Sequence, residues 1–99
     1  IKVKTLREGD YIPRTLSLIK VSVSAGHRAE IMRITELMGA RIVDATRTTL
    51  TVEFADTAER TDILESLLRP YGIKEIVRTG IIAIEKGADP TRTVKKAAD

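Results

Sequence analysis

Ninety-nine residues with 42% hydrophobic content, no cysteine and no tryptophan describe one small domain with an aliphatic core. A chain of this length buries roughly 60–65% of its unfolded surface, and the lack of cysteine excludes disulfides and thiolate metal sites. The formal charge of +3 sits at the ends, because residues 1–14 and 86–99 each carry a net +2 while residues 15–85 carry −1. A phosphate-tracking protein concentrates its charge on a folded face, which this pattern excludes.

No apolar run approaches the ~18 residues of a membrane span, and no signal-peptide pattern opens the chain. The first residue is Ile1 rather than Met, so a piece of a longer protein is expected. Leu16 to Val23 then reads as a strand with Ile19, Val21 and Val23 on one face and Lys20 and Ser22 on the other. This suits a sheet covered by helices on one side. Ser24 is expected to cap the following helix. There His27, Ile31, Ile34, Leu37 and Met38 share a stripe, Arg28, Arg33 and Glu36 point away, and Met32 lies off the stripe. Gly39 supplies a left-handed stop.

Arg41 to Ala45 is a second short strand, Thr46 to Thr48 a turn, and Leu50, Val52 and Phe54 the buried side of a third strand. Asp56 and Glu59 have the spacing of a capping box. The helix after them should turn Ile63, Leu64, Leu67 and Leu68 inward and pair Glu65 with Arg69 on its outer side. Pro70 and Gly72 end it. Ile73 to Ile84 is a long extended stretch, apolar on both faces, with a kink expected at Thr79–Gly80.

The order strand, helix, strand, strand, helix, strand predicts an α+β fold. It is the ferredoxin-like βαββαβ (ACT-like) two-layer sandwich, an antiparallel sheet with two helices on one face. Catalytic chemistry has little to work with. His27 is the single histidine, asparagine and glutamine are absent, and His27 reads as a packed or capping residue rather than a base. Glu53, Asp56, Glu59 and Asp62 read as a solvated face and a helix cap, with no metal ligand set. An RNA-binding module of this fold needs aromatics on the open face, where Lys20, Ser22, Thr51 and Glu53 stand instead. A sheet with an uncovered face needs a protein partner, and Ile81, Ile82 and Ile84 are the residues expected to meet it. The opposing reading keeps Ile73 to Ile84 within a single domain.

Three segments, YIPRTLSLIKV (11–21), AEIMRITELMGARIV (29–43) and LRPYGIKEIVRTG (68–80), carry a family resemblance. Together they resemble the C-terminal domain of the small, regulatory subunits of acetolactate synthase, over Ile1 to about Gly87. Pro13, Arg14, Leu18, Ile19, Lys20 and Val21 match the family pattern. So do Arg69, Pro70, Tyr71, Gly72, Ile73, Lys74, Glu75, Val77, Arg78, Thr79 and Gly80. Thr46 to Thr49 departs from the expected turn containing serine and proline.

The resemblance implies that residues 1–14 connect to a preceding ACT domain, 15–87 form the ferredoxin-like domain and 88–99 are a polar tail that frays. It implies a non-catalytic regulator of the large catalytic subunit, which uses thiamine diphosphate, magnesium and FAD; no cofactor is expected on this chain. A small-subunit homodimer is implied, with valine or another branched-chain amino acid bound in the preceding domain. The implied compartment is the cytoplasm of a bacterium or archaeon, or an organelle in a eukaryote. Candidate interface or regulatory residues are Tyr71, Lys74, Arg78, Thr79, Gly80 and Ile82. The turn of Ser24, Gly26 and His27 is a weaker effector-loop candidate, at the helix start where ACT domains hold amino acids. The alternative is a stand-alone ACT-like amino-acid sensor.

Overall fold

Strict alternation along one strand organises the fold. In β1, Tyr11–Ser22, the odd residues from Thr15 to Val21 are buried, while the even residues from Ile12 to Leu18 are exposed. The structure, a computed structural model, describes residues 9–88. The expected connecting strand Ile1 to Leu6 and the tail beyond Ala88 lie outside the described residues. β1 is longer than the Leu16–Val23 strand expected from composition, because Tyr11 to Arg14 also find a sheet partner.

The remaining elements are α1 (Arg28–Met38), β2 (Arg41–Ala45), β3 (Thr49–Asp56), α2 (Ala58–Leu68), a 3-10 turn (Arg69–Tyr71), β4 (Ile73–Arg78) and β5 (Ile82–Glu85). The strands run β2-β3-β1-β4, each pair antiparallel, with β5 pairing the first residues of β1. This is the ferredoxin-like α+β arrangement, and both helices supply the buried core on one face. Ile19 and Val21 of β1, Leu50, Val52 and Phe54 of β3, Ile31 of α1, and Leu64 and Leu68 of α2 form that core.

Two threonines hold core positions that a hydrophobic stripe does not reveal. Thr35 donates to the Ile31 carbonyl at 2.9 Å and Thr61 to the Thr57 carbonyl at 2.8 Å. Each hydroxyl is thereby satisfied within its own helix, so the methyl face packs inward without a stranded polar atom. Leu37, expected inside, is 76% exposed, and Ile63 and Leu67 also lie outside. The buried arc of each helix is narrower than the apolar stripe.

The helix starts differ from expectation as well. Ser24 does not cap α1: its Oγ meets Nδ1 of His27 at 2.7 Å, and His27 occupies the cap position with no side-chain cap bond. On α2 the cap is Thr57, whose Oγ1 accepts the Arg60 N–H at 3.2 Å, so Asp56 and Glu59 form no capping box. Asp56 remains the last residue of β3. Gly39 adopts φ 80°, the expected left-handed stop, and the Glu65–Arg69 ion pair forms at 2.6 Å.

Partial burial raises the Asp56 pKa, but the Thr57 N–H bond, the Arg60 guanidinium and the Arg14 charge outweigh it and hold it below 3.8. A carboxylate depressed in the folded state adds stability above its unfolded pKa, which fades as pH falls through the folded one. Urea midpoints measured from pH 6 to pH 2 should therefore fall less steeply in Asp56→Asn than in the parent. Leu64→Ala should cost about 2–5 kcal/mol, whereas Leu37→Ala should stay within about 0.5 kcal/mol, by the same unfolding measurement.

Candidate interaction surface

Among the described residues, nothing covers the sheet face opposite the helices, and that face is largely aliphatic. Leu16, Leu18 and Val77 are 40, 39 and 55% exposed there, with Leu18 and Val77 directly paired across β1 and β4. Because β1 alternates without a break, Ile12 lies on this same face. The register Ile12↔Ile84 and Arg14↔Ile82 adds two isoleucines of β5 to it. Ile82 and Ile84 are 71 and 58% exposed, so the face is a contiguous aliphatic patch of the kind that marks a contact site.

A shallow depression of about 160 Å³ lies within this face, lined by Leu18, Lys20, Thr51, Glu75 and Val77. Lys20 and Glu75 are cross-strand partners 3.7 Å apart at its edge. Both are substantially solvated, so the pair sets charge register more than stability. Leu16 and Leu18 were the signal missed in the sequence: they precede the recognised alternation of Ile19, Val21 and Val23 by an odd offset.

The candidate residues fall into separate groups. Tyr71 joins the Ser24–Gly26–His27 turn, because its ring meets His27 edge-on at 5.7 Å and its hydroxyl donates to Oε1 of Glu30 at 2.8 Å. That hydrogen bond, some burial and the carboxylate's charge push the phenol above its ordinary pKa of 10. Gly26 takes φ 88° in the turn. His27 is exposed, so the packed role on the apolar stripe is replaced by this polar cluster.

Lys74 is an exposed residue at the β4 irregularity, where pairing shifts from Lys20↔Glu75 to Val21↔Ile73. Arg78 finds its acceptors within its own domain, donating to Asp62 Oδ1 (2.8 Å) and the Ala58 carbonyl (3.4 Å) on α2, with Glu65 Oε1 a looser ion-pair partner at 3.6 Å. Thr79 and Gly80 break the extended stretch as expected, and Ile82 follows at 71% exposure. Among the described residues, no three His, Asp or Glu side chains are placed to hold a metal ion. None of the described helices is long and apolar enough to cross a membrane.

A family model described as the small subunit of acetolactate synthase matches residues 14–87. The chain belongs to the acetolactate synthase small-subunit family. Within that family it corresponds to the C-terminal domain of the small subunit. It is 36% identical over 87 residues to an acetolactate synthase small subunit of Mycolicibacterium smegmatis, covering 88% of this chain and 51% of that protein. A probable acetolactate synthase small subunit of Methanothermobacter thermautotrophicus is 39% identical over 89 residues, covering 89% and 53%. The chain thus spans about half the length of these curated relatives. The crystal structure of a small subunit from Thermotoga maritima superposes with a TM-score of 0.75 at 26% identity, covering 82% of this chain and 50% of that one.

The Arg78 cluster bridges β4 to α2, and Asp62 is well solvated. An Arg78→Met and Asp62→Asn double-mutant cycle should give a coupling of about 0.2–1 kcal/mol. In unfolding experiments that coupling should shrink in 1 M salt.

Proposed function

We propose that this chain is part of a non-catalytic regulatory subunit of acetolactate synthase, stimulating the catalytic subunit and transmitting feedback inhibition. The observation that carries this reading is the uncovered aliphatic face, which joins two subunits more readily than it performs bond chemistry. Leu16, Leu18, Val77, Ile12, Ile82 and Ile84 supply its exposed aliphatic side chains.

The partners of this reading are the large catalytic subunit, with its thiamine diphosphate, magnesium and FAD, and a second small subunit. Valine or another branched-chain amino acid binds in the preceding ACT domain, in the course of branched-chain amino-acid biosynthesis. Effector binding biases how the present domain docks, and so shifts the catalytic subunit between states of unequal activity. The compartment is the cytoplasm of a bacterium or archaeon, or an organelle in a eukaryote. A relative in Arabidopsis thaliana named acetolactate synthase small subunit 2, chloroplastic, 37% identical over 86 residues, supports the organellar option.

The intact small subunit should raise the activity of its catalytic partner and make it sensitive to valine. Neither effect, with both proteins folded, overturns the reading. Leu18→Lys places a charge on the open face, opposite Glu53 of β3 and outside the core, so it should leave the unfolding midpoint nearly unchanged. It should weaken subunit association at least about tenfold in sedimentation or titration experiments, since a buried unpaired charge is costly.

A further inference from the structure

The body of the sandwich and its β1–β5 ribbon are separate ladders that share one strand. The β4 ladder closes at Ser17↔Arg78 and the β5 ladder opens at Arg14↔Ile82. Between them the chain leaves β4, passes Thr79, Gly80 and Ile81, and returns to β1. At such a break the amides of β1 lose their ordinary partners, and an unpaired N–H is costly unless another acceptor is supplied.

Thr79 supplies it. The Leu16 N–H donates to Thr79 Oγ1 at 3.0 Å, and the Thr79 N–H donates to the Leu16 carbonyl at 2.9 Å. The Thr79 hydroxyl then donates onward to the Gly80 carbonyl at 2.8 Å. A single hydroxyl therefore accepts from one strand and donates to the next segment, standing in for the carbonyl that the broken ladder lacks. The preceding residue, Arg78, ties the same point of the chain to Asp62 and Glu65 of α2. Packing contributes little at this joint: a Cβ built on Gly80 meets no atom within 4 Å. Beyond it, Ile82 and Ile84 are 71 and 58% exposed, and a two-stranded ribbon is marginal when left to itself.

We propose that Thr79 is a positioning residue whose hydroxyl splices the body's ladder onto the β1–β5 ribbon. The splice keeps Ile12, Ile82 and Ile84 in line with Leu16, Leu18 and Val77, so that the partner meets one continuous surface. The functional half of this inference rests on the regulatory reading above; the structural half does not.

The test compares Thr79→Val, which keeps the shape and removes the hydroxyl, with Thr79→Ser, which keeps the hydroxyl. Both are made in the full small subunit and studied with its catalytic partner. In Thr79→Val, exchange of the Leu16 amide should quicken about fivefold to tenfold, the scale of one lost hydrogen bond, while the Ile19 and Val52 amides stay protected. The small-subunit concentration giving half-maximal stimulation should rise by a similar factor, and Thr79→Ser should restore both readouts.

Unchanged Leu16 exchange in Thr79→Val overturns the splice. So does uniform acceleration of core amides, which marks global destabilisation, or a serine variant as impaired as the valine one. A quickened Leu16 amide with unaltered stimulation overturns the positioning role alone. If the parent protein fails to stimulate its partner at all, the regulatory reading falls, and the exchange comparison still decides the splice.

Discussion

β1 is the constraint on which the rest of the structure depends. It pairs with both neighbouring body strands and also with the ribbon strand, Thr15 to Ser22 meeting β3, Ser17 to Val21 meeting β4 and Tyr11 to Arg14 meeting β5. Alternation in a strand has period two, so its parity sorts every paired side chain to one face. Once Ile19 and Val21 are committed to the helices, Leu18 and Leu16 have no choice but the open face. Val77, the cross-strand partner of Leu18, follows it. The apolar open surface is thus a direct consequence of packing the core.

The two faces are built by different means. On the helix side, aliphatic burial does most of the work, and the polar groups that enter are locally satisfied. Thr35 and Thr61 bond within their helices, and Thr15 meets Thr61 at 3.2 Å. On the open side, aliphatic residues sit beside the solvated Lys20–Glu75 pair, with no second layer among the described residues. A surface of that composition is soluble enough for a folded domain and apolar enough to favour association. This combination suits the regulatory reading proposed above, in which another chain covers the open face.

The joint at Thr79 links these two themes. The stretch from Ile73 to Ile84 is apolar on both sides of its break, yet β4 and β5 pair with different parts of β1. Arg78 illustrates the same point in electrostatic terms. A guanidinium in an apolar strand needs an acceptor, and Asp62 and the Ala58 carbonyl supply it from α2 across the layer, with the Glu65 charge nearby. The residue anchors the end of the body sheet to its helix at the place where the ribbon begins. Polar anchoring there leaves the apolar side chains of the ribbon free for contact.

Element order, strand alternation in β3, the Gly39 stop, the Glu65–Arg69 pair and the break at Thr79–Gly80 were all legible in the chain, because each arises from neighbours within a few residues. Family membership was legible for the same reason, in contiguous motifs. The caps were read one position or one partner away, since Ser24 had His27 as a competitor and Asp56 had Thr57 beside it. Leu37, Ile63 and Leu67 were placed inside because periodicity reports an apolar stripe and cannot say how wide an arc the sheet covers. Sequence by itself therefore determined which segments form helix or strand and which side chains of a strand travel together. Tertiary structure decided which of those faces is buried, that Tyr11 to Arg14 extend β1, and that Tyr71, His27, Glu30 and Ser24 meet. Those outcomes depend on long-range register and on competition between distant groups for the same hydrogen bonds, and neither is encoded in local spacing.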